Sequence, residues 1–270
     1  MKNSSSTITI GLDLGDRKHA VCVLDAKGEI LKQESIANSR SCLTALHRRY
    51  PGAVMVMEVG MHSPWTSRFL KDLGHRVLVA NPRKVRAIYQ NIRKSDRRDA
   101  EMLARIARTE ETLLYPVEHV SEEKQRDLLQ IKLRDNLVRQ RVDIISSVRF
   151  TFKSLGIALA TKNSETFARH ARNTLRKEHS DMLALIEPSL CVLDAMTEQI
   201  RMLEKSIAAM AAEKYPESEF LSQVGGVGPL TALTFILTIG DPTRFQRKRD
   251  VAAFLGLVPK RDQSGACAIR

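Results

Sequence analysis

Four carboxylates, Asp13, Glu58, Asp96 and Asp99, have the types and the placement to do chemistry together. Asp13 lies in Ile8-Thr9-Ile10-Gly11-Leu12-Asp13-Leu14-Gly15, where residues 8, 10, 12 and 14 are apolar. That period of two predicts a strand with one face in a core and Asp13 on the opposite face. A carboxylate in a central strand is expensive to bury unless it is paired or binds a metal. Glu58 closes the apolar run from Ala53 to Met57, which suits a strand buried on both faces. Asp96 and Asp99 follow Ser95, a helix cap, and their spacing of three puts both on one helical face. Acids in a first turn by themselves only favour the helix N-terminus, by some tenths of a kcal/mol. Four carboxylates gathered at one place are another matter. Two unit charges about 4 Å apart repel by roughly 4 kcal/mol at an effective dielectric near 20. Divalent cations remove that repulsion. Mg²⁺ accepts oxygen ligands and keeps waters or phosphate oxygens beside them, and two such ions can clamp the attacking and leaving oxygens of a phosphodiester.

The elements that would position these acids follow in order. His19 to Asp25 reads as a second strand, Ala26-Lys27-Gly28-Glu29 as a tight turn, and Ile30 to Ile36 as a third strand. Ser39 caps a helix running to Arg49, which Pro51-Gly52 ends. Ser63 is the expected cap of a second helix, with Pro64 at its first position and Gly74 after it. Val77 to Ala80 makes a fifth strand, and Asp96 to about Thr109 a helix with Ala100, Leu103, Ala104, Ile106 and Ala107 on its core face. Three strands followed by alternating helices and strands predict an α/β sheet with parallel crossovers, so adjacent strands end along one edge, where ligands gather. Gly11 and Gly15 are expected to admit a phosphate or a nucleic-acid backbone.

Charge points to a polyanionic partner: 43 Lys and Arg against 31 Asp and Glu give a net +12. Seven of the cations, Arg83, Lys84, Arg86, Arg93, Lys94, Arg97 and Arg98, fall in one short stretch that contains a single acid, Asp96, and are expected to hold phosphates. The four cysteines, Cys22, Cys42, Cys191 and Cys267, are far apart with no C-x-x-C pair, which argues against zinc and against a disulfide framework and fits a reduced cytoplasm. The longest apolar run, around Leu230 to Ile239, is too short to span a bilayer of roughly 30 Å, so no membrane partner is expected.

Gly-Leu-Asp13-Leu-Gly, Met-Glu58-Val-Gly and Lys94-Ser-Asp96-Arg-Arg-Asp99-Ala-Glu together resemble the DEDD-type insertion-sequence transposases, the third element being the most specific. The resemblance implies an RNase H-like domain similar to that of RuvC-type junction resolvases, with Mg²⁺, two ions in number, held by Asp13, Glu58, Asp96 and Asp99. It also implies double-stranded DNA as substrate and a structured guide RNA, the bridge RNA of some members, pairing with target and donor DNA. A homo-oligomer, dimer or tetramer, and a cytoplasmic, nucleoid-associated protein are expected with it.

Glycine nearly vanishes from about 115 to 215, leaving Gly156. Ser121 opens a long helix in which Ile131, Val138, Ile145 and Phe152 recur every seven, with Val142, Val148 and Leu155 in the alternate seam; Leu193, Met196, Ile200, Leu203, Ile207 and Met210 keep three-four spacing later on. Such heptads predict a left-handed coiled coil, formed either as an internal antiparallel hairpin or as a dimerising arm. The family resemblance implies a coiled-coil insert used in assembly and in holding RNA. Val224-Gly225-Gly226-Val227-Gly228-Pro229 looks like a helix-hairpin-helix turn whose backbone amides reach a phosphate, with Gly226 and Gly228 giving access. With Gly240-Asp241-Pro242 and Ala253 to Pro259 it is similar to the second, transposase domain of the same family.

In that family a serine after Gly-Leu-x-Pro attacks DNA, and Ser264 is the matching position, with Lys260 and Arg261 placed to steady the phosphate. The expected organisation is a catalytic domain over 1–112, a helical coiled-coil region over 113–216 and a small, mainly α domain over 217–270. The chain stops at Arg270, where the family continues with a basic stretch, so the third domain is expected to be truncated. Three other readings use the same residues. A RuvC-like nuclease or junction resolvase would use the four acids with water as nucleophile. A truncated, inactive remnant would bind nucleic acid without cutting it. A sugar kinase or actin-type ATPase also opens with an acid on its first strand, but it needs a second phosphate loop and a second lobe, for which the helical middle leaves no room.

Overall fold

The computed structural model describes residues 8–85, 95–159 and 163–257, together with the backbone of 262–264 and 267–269. Strand β1 (Thr9–Leu14) is the middle of five. It pairs antiparallel with β2 (Lys18–Leu24), which pairs antiparallel with β3 (Ile30–Ala37). Helix α1 (Arg40–Arg49) then leads to β4 (Val54–Glu58), parallel to β1, and α2 (Ser63–Asp72) leads to β5 (Arg76–Ala80), parallel to β4. The order is therefore β3-β2-β1-β4-β5, the meander and crossovers that the pattern predicts. The turn between β2 and β3 is fixed by Asp25, whose carboxylate accepts from the Glu29 and Lys27 amides at 2.9 and 2.8 Å. Those backbone bonds, the one from Glu29 first, hold its pKa below the usual carboxylate value.

Both faces of β1 are covered, not one. Ile10 and Leu12 pack with Val21, Val23, Met55 and Met57 against Leu43 and Leu46 of α1 and Leu70 of α2. On the other face, after the short helix α3 (Pro82–Val85), helix α4 (Asp96–Thr109) packs Ala100 and Ala104 against Ala20, Cys22 and Leu24, and Leu103, Ile106 and Ala107 against Val56 and Leu78. Caps behave as local chemistry dictates: Ser39 accepts from the Cys42 amide at 3.3 Å, and Ser95 from that of Arg98 at 3.4 Å. Ser63 is the exception. The helix begins on it without a side-chain cap, and its hydroxyl instead bonds the Gly60 carbonyl at 2.9 Å and His119 Nε2 at 2.9 Å.

The chain divides into two compact units, Met1–His119 and Val120–Arg270. The second is built on α5 (Glu122–Ser154) and α7 (Ser180–Lys214), of 33 and 35 residues, roughly 50 Å each. They run antiparallel: Asp127 meets Lys214, Arg134 meets Glu204 and Arg141 meets Thr197. Helix α6 (Phe167–Glu178) buries Phe167, Ala168, Ala171 and Leu175 against one end of this pair. Helix α8 (Ser218–Ser222) follows, and α9 (Pro229–Ile239) buries Leu233 and Leu237 against the other end. Helix α10 (Lys248–Phe254) and a hairpin of β6 (Asp262–Ser264) and β7 (Cys267–Ile269) complete it.

The seam differs from the expected one. Ile131, Ile145, Val148 and Phe152 are buried, but Val142 and Leu155 are 44% and 55% exposed. The alternate positions carry Asp127, Arg134 and Arg141 instead, each facing a polar partner on α7 or just beyond it. Polar groups in a helical seam have partners in one alignment only, so they fix register at a cost in stability. Asp127 is 5% exposed and accepts from Tyr215 Oη at 2.7 Å. Tyr215→Phe removes that donor from a buried carboxylate and should destabilise the unit by about 1–3 kcal/mol. The shift in urea midpoint, with the slope unchanged, measures it.

Candidate active site

Register and face decide which acids the fold brings together. Asp13 pairs with Ala20, and Ala20 packs against α4, so Asp13 is on the α4 face. In the parallel ladder Gly11 pairs with Val56, which also lies on the α4 face. Two residues further along, Asp13 and Glu58 stand side by side on that face, one step past the last registered pair, Leu12 with Met57. Helix α4 runs antiparallel to β1. Its end is tied to the β2–β3 turn by Arg105 Nη1 donating to the Gly28 carbonyl at 3.2 Å and by Arg108 donating to that of Ala26. That turn lies at the Thr9 end of β1, since Thr9 pairs with Leu24. The first turn of α4, with Asp96 and Asp99, therefore lies at the Asp13 end. Asp13 and Glu58 therefore share one sheet edge and one face, and the helix turn that carries Asp96 and Asp99 begins at that edge. Asp13, Glu58 and Asp99 are half-buried and Asp96 is exposed. Among the described residues, no three His, Cys, Asp or Glu side chains are already grouped so that they could hold a metal ion.

Gly11 is what lets α4 come so close. A Cβ on it would stand 1.8 Å from the Ala100 carbonyl oxygen, and one on Gly15 would stand 2.5 Å from that of Lys18. The space expected to admit a phosphate is filled by the protein's own backbone at both glycines.

The basic residues divide between described and undescribed positions. Arg83, Lys84, Arg97 and Arg98 are exposed on α3 and α4, with Lys84 5.6 Å from the Tyr115 ring. Arg86, Arg93, Lys94, Lys260 and Arg261 lie outside the described residues, as does the side chain of Ser264, whose backbone pairs with Cys267 at the end of β6. Gly226 has φ +85°, a conformation that favours glycine, whereas Gly228, at φ −82°, caps α9 with nothing within 4 Å of a Cβ position. Neither backbone angle nor packing demands glycine at 228.

A side-chain cluster that no local sequence signal marks lies beside the acid edge. His62 Nε2 lies 2.9 Å from Asp16 Oδ1, and its Nδ1 lies 3.4 Å from both Asn38 Nδ2 and Trp65 Nε1. Asn38 Nδ2 also donates to the carbonyls of Gly15 and Asp16, at 3.2 and 3.1 Å. Beneath it His19 is fully buried, with the Asn38 side chain as its polar neighbour. Burial first, then the neighbouring His62, pushes its pKa below 6.5. Burial likewise depresses His75 and His119.

A histidine whose folded pKa lies below its unfolded one stabilises the fold above the unfolded value and loses that contribution as pH falls. The first unit should therefore melt at lower temperature as pH drops through 6.5, with Trp65, the chain's one tryptophan, as reporter. His19→Leu should flatten that slope, because the buried group that titrates below its ordinary value is removed.

Comparison with known proteins bears on identity. A family model for DEDD-class elements of the IS110 kind, described as "Transposase", matches residues 10–155, more than half of the chain. A second, "Transposase IS116/IS110/IS902 family", matches residues 218–269. The transposase for insertion sequence element IS1111A of Coxiella burnetii is 25% identical over 95% of this chain and 70% of its own length. A probable family 20 transposase of Pseudomonas aeruginosa is 27% identical over 95% of this chain and 75% of its own. Among solved structures, T. thermophilus RuvC in complex with a Holliday junction substrate is 15% identical, with 36% of this chain and 90% of that one aligned and a TM-score of 0.28. The chain belongs to the IS110 family of DEDD transposases.

Proposed function

We propose that this chain cuts and rejoins DNA as the transposase of an insertion sequence, through an RNase H-like domain whose four carboxylates hold Mg²⁺ and through Ser264 as nucleophile. The observation that carries the reading is the placement of Asp13 and Glu58 on adjacent parallel strands, at the edge and on the face where α4 begins. The strand order, with an antiparallel meander beside parallel crossovers, supports the RNase H-like assignment. The donor set consists of hard carboxylate oxygens, which suits Mg²⁺. That ion usually takes one or two protein carboxylates and completes its shell with water and phosphate, so a preformed cage is not required. When bound, it neutralises charge on the phosphodiester and on the leaving oxygen.

The residues of the chain would do the rest. Asp13 and Glu58 orient the ions, and Asp96 and Asp99 close the site from the helix. Arg83, Lys84, Arg97 and Arg98, with Arg86, Arg93 and Lys94, bind the DNA backbone, and the amides around Gly226 and Gly228 bind a further phosphate. Ser264 loses its proton as its Oγ bonds to phosphorus. The phosphorus–oxygen bond to one deoxyribose breaks, and that oxygen takes up a proton. One phosphodiester replaces another, so a DNA hydroxyl can reverse the step without ATP. Lys260 and Arg261 steady the charge on the phosphate. The protein works as a homo-oligomer, guided by a structured RNA, with the helical region over 113–216 as its coiled-coil insert between domains at 1–112 and 217–270.

The test uses the DNA that flanks the reading frame, the RNA transcribed from those flanks, and Mg²⁺. A DNA–protein adduct that survives denaturation, is absent without Mg²⁺ and is abolished by Ser264→Ala is the expected result. Cleavage with no adduct would make water the nucleophile and the protein a nuclease. Binding should weaken steeply with salt, with a log–log slope near −5 if about six phosphates are neutralised. A slope near zero would exclude this mode of binding.

A further inference from the structure

We infer that His62 is a positioning residue: by clipping the loop after β1 to the loop after β4, it sets the separation of Asp13 and Glu58. The inference rests on the reading of those acids as metal ligands. The β1–β4 ladder ends at Leu12 and Met57, so both carboxylates stand where strand pairing no longer fixes the two chains relative to each other. Three residues beyond Asp13 is Asp16, and four beyond Glu58 is His62. Their side chains meet at 2.9 Å.

The chemistry of the neighbours fixes the imidazole's proton. Asn38 Nδ2 faces two carbonyl oxygens, Gly15 and Asp16, which are acceptors only, so it is the amide's donor end that is turned this way. Trp65 Nε1–H is also a donor only. His62 Nδ1 lies against that indole, so it accepts from Trp65, and the Nε2 proton points at Asp16. His62 thus has its acceptor turned to Trp65 on α2 and its donor to Asp16 in the loop after β1. Its nitrogens are taken up by these contacts, which makes it a strut and not a general base. Asn38, immediately after β3, grips the same loop from the other side, and its own amide donates to the Arg17 carbonyl at 2.9 Å. The loop carrying Asp16 is therefore held by four contacts on three residues, while the Asp16 side chain is itself 80% exposed.

Residues that orient metal ligands without touching the ion typically change metal affinity 10- to 100-fold when removed. The experiment is an Mn²⁺ titration of the full chain followed by electron paramagnetic resonance, with the melting temperature of each variant read beside it. His62→Ala should weaken Mn²⁺ binding about tenfold or more. His62→Gln, whose amide N–H can still reach Asp16, should recover part of the loss. Asp16→Ala breaks the clip from its exposed end without removing core atoms, so it should weaken Mn²⁺ with little change in melting, and it keeps the test valid if His62→Ala does not fold. The double variant should be no worse than the poorer single one. If Asp16→Ala and His62→Gln both bind Mn²⁺ as the unaltered chain does, while Asp13→Asn abolishes binding, the positioning role is wrong and the acid site stands. If Asp13→Asn leaves Mn²⁺ binding unchanged, the acid site itself is wrong and the inference falls with it.

Discussion

Replacing Asp13 by Asn should abolish Mg²⁺-dependent strand cleavage while leaving the fold and the DNA affinity nearly intact. The two side chains have almost the same volume, and Asp13 is half-buried at a strand end, so packing changes little. What goes is one anionic ligand from a cation that supplies several kcal/mol of transition-state stabilisation. A loss of about 4 kcal/mol corresponds to roughly a thousandfold fall in rate, and the expected effect is at least that large. Glu58→Gln should behave alike, since Glu58 stands beside Asp13 on the same face. Asp25→Asn is the control. Asp25 closes the β2–β3 turn through its own backbone, at the end of the sheet away from the other acids, and its loss should leave the cleavage rate unchanged. Cleavage rates under single-turnover conditions, with filter binding for affinity, separate these cases.

Gly11→Val should disrupt the first unit more than any substitution on its surface. The added Cβ would lie 1.8 Å from the Ala100 carbonyl and 3.0 Å from the Ala104 amide, both helix backbone atoms that cannot rotate away. Either α4 lifts off the sheet, exposing Ala100 and Ala104, or the domain fails to fold. Overpacking of this kind costs about 1–3 kcal/mol and sometimes more. Even a folded variant would carry Asp96 and Asp99 away from Asp13, so metal binding should fall with stability. Gly52→Ala is the comparison. Gly52 has φ +72° but open space around it, so only backbone strain of about 1 kcal/mol is expected. Thermal melts followed by Trp65 fluorescence rank the two. Equal melting temperatures for Gly11→Val and the unaltered chain would show that α4 does not pack as described.

Local chemistry made much of the fold legible in the sequence. Ser39, Ser95 and Ser121 each mark a helix start because a cap bonds an amide only three residues away. The meander followed from alternation, and the placement of Asp13 and Glu58 at strand ends followed from where the apolar runs stop. What could not be read depends on contacts between distant segments. Gly11 looks the same in sequence whether a phosphate or the Ala100 carbonyl approaches it. Ser63 sits before Pro64 as a cap would, yet its hydroxyl is drawn to His119, 56 residues on. Val142 and Leu155 fit the heptad by type. The seam nevertheless takes Arg134 and Arg141, because Glu204 and Thr197 face them from the partner helix. Nothing in His62, Asn38 or Asp16 taken singly signals that they meet. Their encounter depends on three loops arriving at the same end of the sheet.

Mn²⁺ anomalous scattering from crystals of the chain soaked in millimolar Mn²⁺ shows whether these acids form one metal site. An anomalous peak within coordination distance of the Asp13 and Glu58 carboxylates, at the end of the sheet where α4 begins, is expected, and it should disappear in Asp13→Asn. A peak elsewhere, or a peak at that edge that persists in Asp13→Asn, would contradict a shared site.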